Sequence, residues 1–399
     1  MNDFERSLQE TLGHAAGNAP RLAGTAAARL ETGYRRRRRR LQAALATAAV
    51  VAVAGGGVVG LRVGGDTGAS SASATGGRSS QVMTSTKIEA KPIEQVWPQA
   101  VVKLPLKAPN GRDLRPITLI DDQTLLVAAD RDFERPETIY AYPLAGGEPR
   151  KIADVPEPQG VVRFSGGFSV GDGQVAWWNT TKGKTHIWAA SLDGAGARPV
   201  ADQDMEGFDG FGVANGKVVF SPVNGGVFTV PLTGGKATRI PAGDRQHLLS
   251  WPWAGSPGIG GGRDKPLFTR LVNLETGKVD SAAVDGKDRV YACGVRSCIG
   301  VTADEEGFVR LRDGSQQKDV PLGYQIPEPL RQDRFHLCNI KEDEQALGLF
   351  DVSTGTIVDL GLRTAEVENG EFPVTDPTGR IMSYRLKGEL HVVVLSRIP

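Results

Sequence analysis

The stretches IYAYPLAGGEPRKIA (residues 139–153), IWAASLDGAGARPVA (187–201) and VFTVPLTGGKATRIPA (227–242) repeat one pattern: a short alternating run, a Gly-containing turn, then a second run. Looser copies follow in FTRLVNLETGKVDSAAV (268–284), FVRLRDGSQQKDV (308–320) and LFDVSTGTIVDLG (349–361). Their turns begin near Leu144, Leu192, Leu232, Leu274, Arg312 and Val352, spaced about forty residues apart, which is the period of a four-stranded propeller blade. Within one copy Ile139, Ala141 and Pro143 alternate with Tyr140, Tyr142 and Leu144, as expected of a strand buried between two neighbouring sheets.

Each of these hairpins follows an inner pair of strands with its own turn. In FSVGDGQVAWW (168–178) and FGVANGKVVF (211–220), Asp172-Gly173 and Asn215-Gly216 are strong two-residue hairpin signals. Inner-strand starts fall near Ile117, Phe168, Phe211, Leu248, Val290, Phe335 and Phe372. The last unit, beginning at Phe372, ends after three strands, whereas AVVKLPLKAP (100–109) is a strand without a blade. Lending this N-terminal strand to the last blade closes the ring and removes exposed sheet edges. The expected fold is therefore all-β, a seven-bladed β-propeller over 96–399, with six blades as the alternative. The 51 glycines and 24 prolines fall in short turn-like clusters, consistent with many tight turns.

Ahead of the repeats the composition changes. Arg35, Arg36, Arg37, Arg38, Arg39 and Arg40 form an unbroken basic block, and Leu41 to Leu61 carry no charge. As a helix that run is long enough for a bilayer core, about 30 Å. The arginines would hold residues 1–40 in the cytoplasm and place everything after residue 62 outside the membrane. A secretory signal cleaved after Ala52-Val53-Ala54 is the competing reading, weakened by the forty-residue region that precedes it. A buried soluble helix would leave the six arginines without partners. Residues 62–95 are Gly/Ser/Thr-rich and read as a flexible tether. In the tail, Phe4, Leu8, Leu12 and Ala15 recur at helical spacing. Such a short helix is marginal alone, so the tail either lies against anionic lipid or folds on a cytoplasmic protein partner.

Charge follows the same division. Residues 1–62 hold ten arginines against four acids, whereas the remainder is mildly acidic, so the bulk of the chain offers no footprint for nucleic acid. The IYxxxLxGGxxRxI hairpins resemble those of TolB-like and WD40-like propellers of bacterial extracytoplasmic proteins, without the Gly-His and Trp-Asp dipeptides of true WD40 blades. The layout of MNDFERSLQETL, arginine block, one span and propeller also resembles actinobacterial membrane proteins associated with extracytoplasmic-function sigma factors. That resemblance implies that the tail meets a sigma factor.

Five patterns bear on chemistry. Cys293 and Cys298 flank a turn in YACGVRSCIG and would form a hairpin disulfide in an oxidising compartment, the alternative being two buried thiols; Cys338 reads as a buried free thiol. GFSVG (167–171) matches the nucleophile-elbow motif at Ser169, but it leads into a hairpin where that motif needs a helix. Asp202, Asp204, Glu206 and Asp209 imitate the first half of a calcium loop; Val213 stands where a bidentate Glu belongs, which favours a solvated acidic loop. The five scattered histidines show no ligand spacing. Trp251 and Trp253, with Arg263 and Asp264 downstream, would suit an envelope glycan or protein if exposed, and blade packing otherwise. No cofactor motif is present. The reading is a membrane-anchored binding or sensory module, with a propeller hydrolase or lyase, or a passive envelope scaffold, as alternatives.

Overall fold

The computed structural model describes residues 90–132, 135–158, 165–256, 267–284, 287–321, 328–340, 343–363 and 372–399. The proposed tail, the apolar stretch at 41–61 and most of the linker lie outside these residues. Among the described residues no helix is long and apolar enough to cross a membrane.

Strands among the described residues form seven four-stranded sheets arranged as a β-propeller. One hydrogen bond recurs in every blade and fixes its phase. The residue that follows the third strand donates its N–H to a carbonyl in the turn between the first two strands. The seven pairs are Leu144–Gln123, Leu192–Gly173, Leu232–Gly216, Leu274–Pro252, Arg312–Arg296, Val352–Arg334 and Leu395–Arg380, at 2.8 to 3.1 Å. The donors include every turn residue read from the repeat, with Leu395 as the seventh. Each donor's side chain faces the preceding blade. Asp172, Gly173, Asn215 and Gly216 all have positive φ, the backbone of a type I′ hairpin.

The core is a series of apolar seams between adjacent blades. The alternation seen in sequence separates as expected: Ile139 and Ala141 join the seam to blade 2, whereas Tyr140 and Leu144 join the seam to blade 7. Ring closure also follows expectation. Val101–Leu104 pairs antiparallel with Glu389–Val394 and supplies the fourth strand of blade 7.

Two features depart from the sequence reading. The tether expected to run to residue 95 ends sooner. Lys91–Pro92 pairs in parallel with Thr356–Arg363 on the outside of blade 6, and the following helix Ile93–Val96 buries Ile93 completely. This strap, residues 91–104, thus crosses the outer edges of two blades, and its Ile93, Trp97 and Ala100 share one core with Leu395 and Ile398 near the C-terminus. Phe335, expected to open an inner strand, instead opens the second strand of blade 6. The Val352–Arg334 bond sets that phase, and among the described residues the inner position is reduced to one bridge between Arg331 and Phe335.

Candidate functional site

Inner strands face the propeller axis and are where a ring of blades can present convergent groups. They shorten around the ring, from Asp113–Asp121, Ser165–Gly171 and Phe208–Ala214 in blades 1 to 3 to His247–Ser250, Arg289–Cys293 and Val374–Thr375 in blades 4, 5 and 7. At blade 5 the chain adds a further layer inside the first strand. Leu267 pairs in parallel with Ala292, its N–H donating to Tyr291 and its carbonyl accepting from Cys293. Its side chain packs against the cluster that contains Leu330, beside the shortened inner position of blade 6.

Polar groups collect at three junctions near these strands. Between blades 3 and 4, Asp209 accepts hydrogen bonds from the Ser221 hydroxyl (2.6 Å) and from His247 Nδ1. Ser221 also accepts the Leu248 N–H (3.0 Å). A Cβ at Gly210 would lie 2.7 Å from Ser221 Oγ, so glycine is what lets the two strands approach there. Between blades 7 and 1, Asp376 accepts from the Thr118 hydroxyl (2.7 Å), the Ile381 N–H (2.8 Å) and the Thr378 hydroxyl, and Arg380 donates to the Leu119 carbonyl (2.5 Å). Between blades 6 and 7, Arg331, partly buried, donates to Thr375 Oγ1, with Glu328 3.5 Å away.

Asp209, Ser221 and His247 have the residue types of a hydrolytic triad but the wrong connectivity. The serine proton goes to the carboxylate, not to the imidazole, and the serine oxygen is held by a backbone N–H. The set ties two blades together and offers no activated nucleophile. Ser169 is likewise structural. It lies in an inner strand opposite Ala176, and its hydroxyl accepts the Val213 N–H of blade 3 (3.1 Å). Gly167 has a φ of +64°, and a Cβ there would meet the Trp178 indole at 2.1 Å. The GFSVG match therefore reflects strand packing.

The acidic stretch is divided among four different partners. Asp202 is hydrogen-bonded to His186 Nδ1 (2.8 Å), Asp204 stands 3.6 Å from Lys184, Glu206 accepts the Gly183 N–H (3.1 Å), and Asp209 points inward to His247. Among the described residues, no group of three or more acids, histidines or cysteines is placed to hold a metal. Calcium coordination would need these carboxylates turned toward a common point.

Trp251 and Trp253 lie at the turn between the first two strands of blade 4, partly exposed. Trp251 Nε1 donates to Glu275 (3.2 Å), which also accepts from Asn215 (3.0 Å). Arg263 and Asp264 lie outside the described residues.

Cys293 and Cys298 stand directly opposite each other on adjacent strands and are disulfide-bonded. Cys338 is a buried free thiol, and burial pushes its pKa up to about 12. One buried group carries no signal in the sequence. His336 is only 7% exposed, and its Nε2 has no hydrogen-bond partner among the described residues. Burial, then the charge of Arg331, lowers its pKa to about 4, against a bond to the Pro321 backbone that raises it, so it is neutral at physiological pH.

No protein-family model and no curated protein matches the chain. Among solved structures it is similar to YCF48 bound to D1 peptide, with a TM-score of 0.44 and 11% identity over 74% of this chain and 94% of that one. YCF48 from Cyanidioschyzon merolae gives 0.42 and 9% over 74% and 98%, and an oligogalacturonate lyase in complex with manganese gives 0.31 and 11% over 70% and 76%.

Proposed function

We propose that this chain is a membrane-anchored binding module whose propeller works outside the cytoplasm and recognises an envelope protein or glycan, while the tail meets a cytoplasmic partner, a sigma factor by resemblance. The observation that carries the reading is the Cys293–Cys298 disulfide in a ring that follows an arginine-flanked apolar stretch. A disulfide persists where thiols are not kept reduced, and the arginine block keeps its own side in the cytoplasm. The strap gives such an anchor a firm attachment, because chain arriving from residue 90 enters the ring through the core shared by blades 6 and 7.

The test uses the full chain in membranes. A phosphatase fused after Pro399, active only outside the cytoplasm, should be active, and replacing Arg35 to Arg40 by alanine should lower that activity. An inactive fusion with the chain in the soluble fraction would overturn the anchor. Co-purification of the full chain, compared with a chain lacking residues 1–34, tests the tail. A cytoplasmic protein retained only by the full chain supports the signalling role, and identical partner sets would overturn it.

A further inference from the structure

The strap that closes the ring lies over a buried histidine. His391, on the third strand of blade 7, is 2% exposed. It stands directly opposite Lys103 of the strap on one side and Tyr384 on the other, with its ring stacked on that tyrosine at 5.3 Å. Glu94, on the strap helix, is 3.5 Å from Nδ1, and Glu389 is 3.5 Å from Nε2. Glu389 is already engaged at 2.7 Å by Lys103. Among the described residues neither His391 Nδ1 nor the Tyr384 hydroxyl has a hydrogen-bond partner. Asp359 of blade 6 adds a further negative charge toward Tyr384.

We propose that His391 makes the strap an acid-released latch: its protonation loosens residues 91–104 from blades 6 and 7 and opens the ring at its closing seam. An imidazolium here would sit in a buried site, directly across from the Lys103 ammonium, and like charges on opposed residues weaken a strand pair. It would also draw Glu389 away from Lys103, the ion pair that spans strap and blade. The compensating carboxylates are weak partners because their side chains are 40% and 52% exposed and are screened by solvent. Burial, then the charge of Lys103, outweighs Glu94 and Glu389 and lowers the affinity of His391 for a proton below the ordinary histidine value. The loosened strap exposes the imidazole and binds the proton better. The closed strap is therefore at full strength above the ordinary value near 6.5 and loses strength as pH falls below it.

Hydrogen exchange on the full chain, corrected for the intrinsic pH dependence of exchange, tests the latch directly. Between pH 7.5 and 5.5 the protection of strap amides should fall, by no more than about ten-fold per pH unit, the limit for one proton. Amides of Thr124–Asp132 in blade 1 should hold their protection and report that the ring remains folded. In His391→Gln the strap's pH dependence should flatten. In Glu94→Gln, which removes one compensating charge, it should steepen. Strap protection that is unchanged with pH, or that falls equally in wild type and His391→Gln, would overturn the proposal. If His391→Gln proves unfolded by the blade 1 amides, Glu94→Gln decides alone: no steepening would overturn it. The outcome is independent of the proposed membrane topology.

Discussion

Between blades 2 and 3 the contact is aromatic. Phe208 meets Phe220 at 4.4 Å and Trp178 at 5.6 Å, Phe220 meets Phe228 at 5.6 Å, and Leu232 closes the cluster. Between blades 4 and 5 the apolar cluster is small, and it contains the disulfide. Two arginines take the remaining space there. Arg310 donates to Asp288 and the Ala283 carbonyl, and Arg312 to Asp280 and the carbonyls of Phe268, Thr269 and Gly294. Arg312 occupies the repeat position that Leu232 fills two blades earlier. An apolar seam needs volume and tolerates modest changes of shape. A seam built on one guanidinium needs each acceptor in place, because a buried carbonyl without a donor costs free energy.

The aromatic seam should show the largest effect. Phe220→Ala removes a fully buried ring at the centre of the cluster, and denaturant titration should report a loss of about 3 to 5 kcal/mol. Phe220→Leu should recover much of this, since the seam depends on filled volume. If alanine costs no more than a surface substitution, the seam is not a packed core.

Arg312→Leu sharpens the contrast. It installs the residue type that five other blades carry at this position, yet it strips a donor from the buried carbonyls of Phe268 and Gly294, from the partly buried carbonyls of Thr269 and Asp280, and from the Asp280 carboxylate. The expected loss is about 2 to 4 kcal/mol in the same titration. Stability equal to wild type would mean that the seam holds by packing after all, and the distinction between the two seams would fall. Replacing both Cys293 and Cys298 by serine should cost about 2 kcal/mol, the loop-closure value for so short a ring, and reductant should produce the same shift in the wild-type protein.

This contrast also marks what the sequence could reveal. The repeat register was legible because each turn residue faces the preceding blade, which keeps that position apolar in every copy but one. The Asp-Gly and Asn-Gly turns were legible because their backbone demands those residues. Arg312 was visible as the odd member of the series, although nothing local showed that all its acceptors but Gly294 lie on blade 4. Blade 6 was misphased because Phe335 begins a buried run, as inner strands do, and the inner position beside it makes only one bridge. Lys91–Pro92 has no strand signature at all; it is held by a partner more than 260 positions away. The acidic stretch imitates half of a calcium loop because its residues are close in sequence, and the absence of a Glu at Val213 already favoured a solvated loop; a bulge at Phe208–Gly210 and the turn before it direct the side chains to separate partners.

Ser169→Ala should give the smallest effect, and it bears on the GFSVG motif directly. If Ser169 is a spacer between blades 2 and 3, alanine removes only the acceptor for the Val213 N–H at a partly buried site, and stability should fall by about 1 kcal/mol. Labelling of the folded protein by a serine-reactive fluorophosphonate should be absent before and after the change, since no imidazole is bonded to this hydroxyl. Stoichiometric labelling that Ser169→Ala abolishes would show a nucleophile on an inner strand. The seam between blades 2 and 3 would then have to be read as the wall of a reaction site and not only as packing.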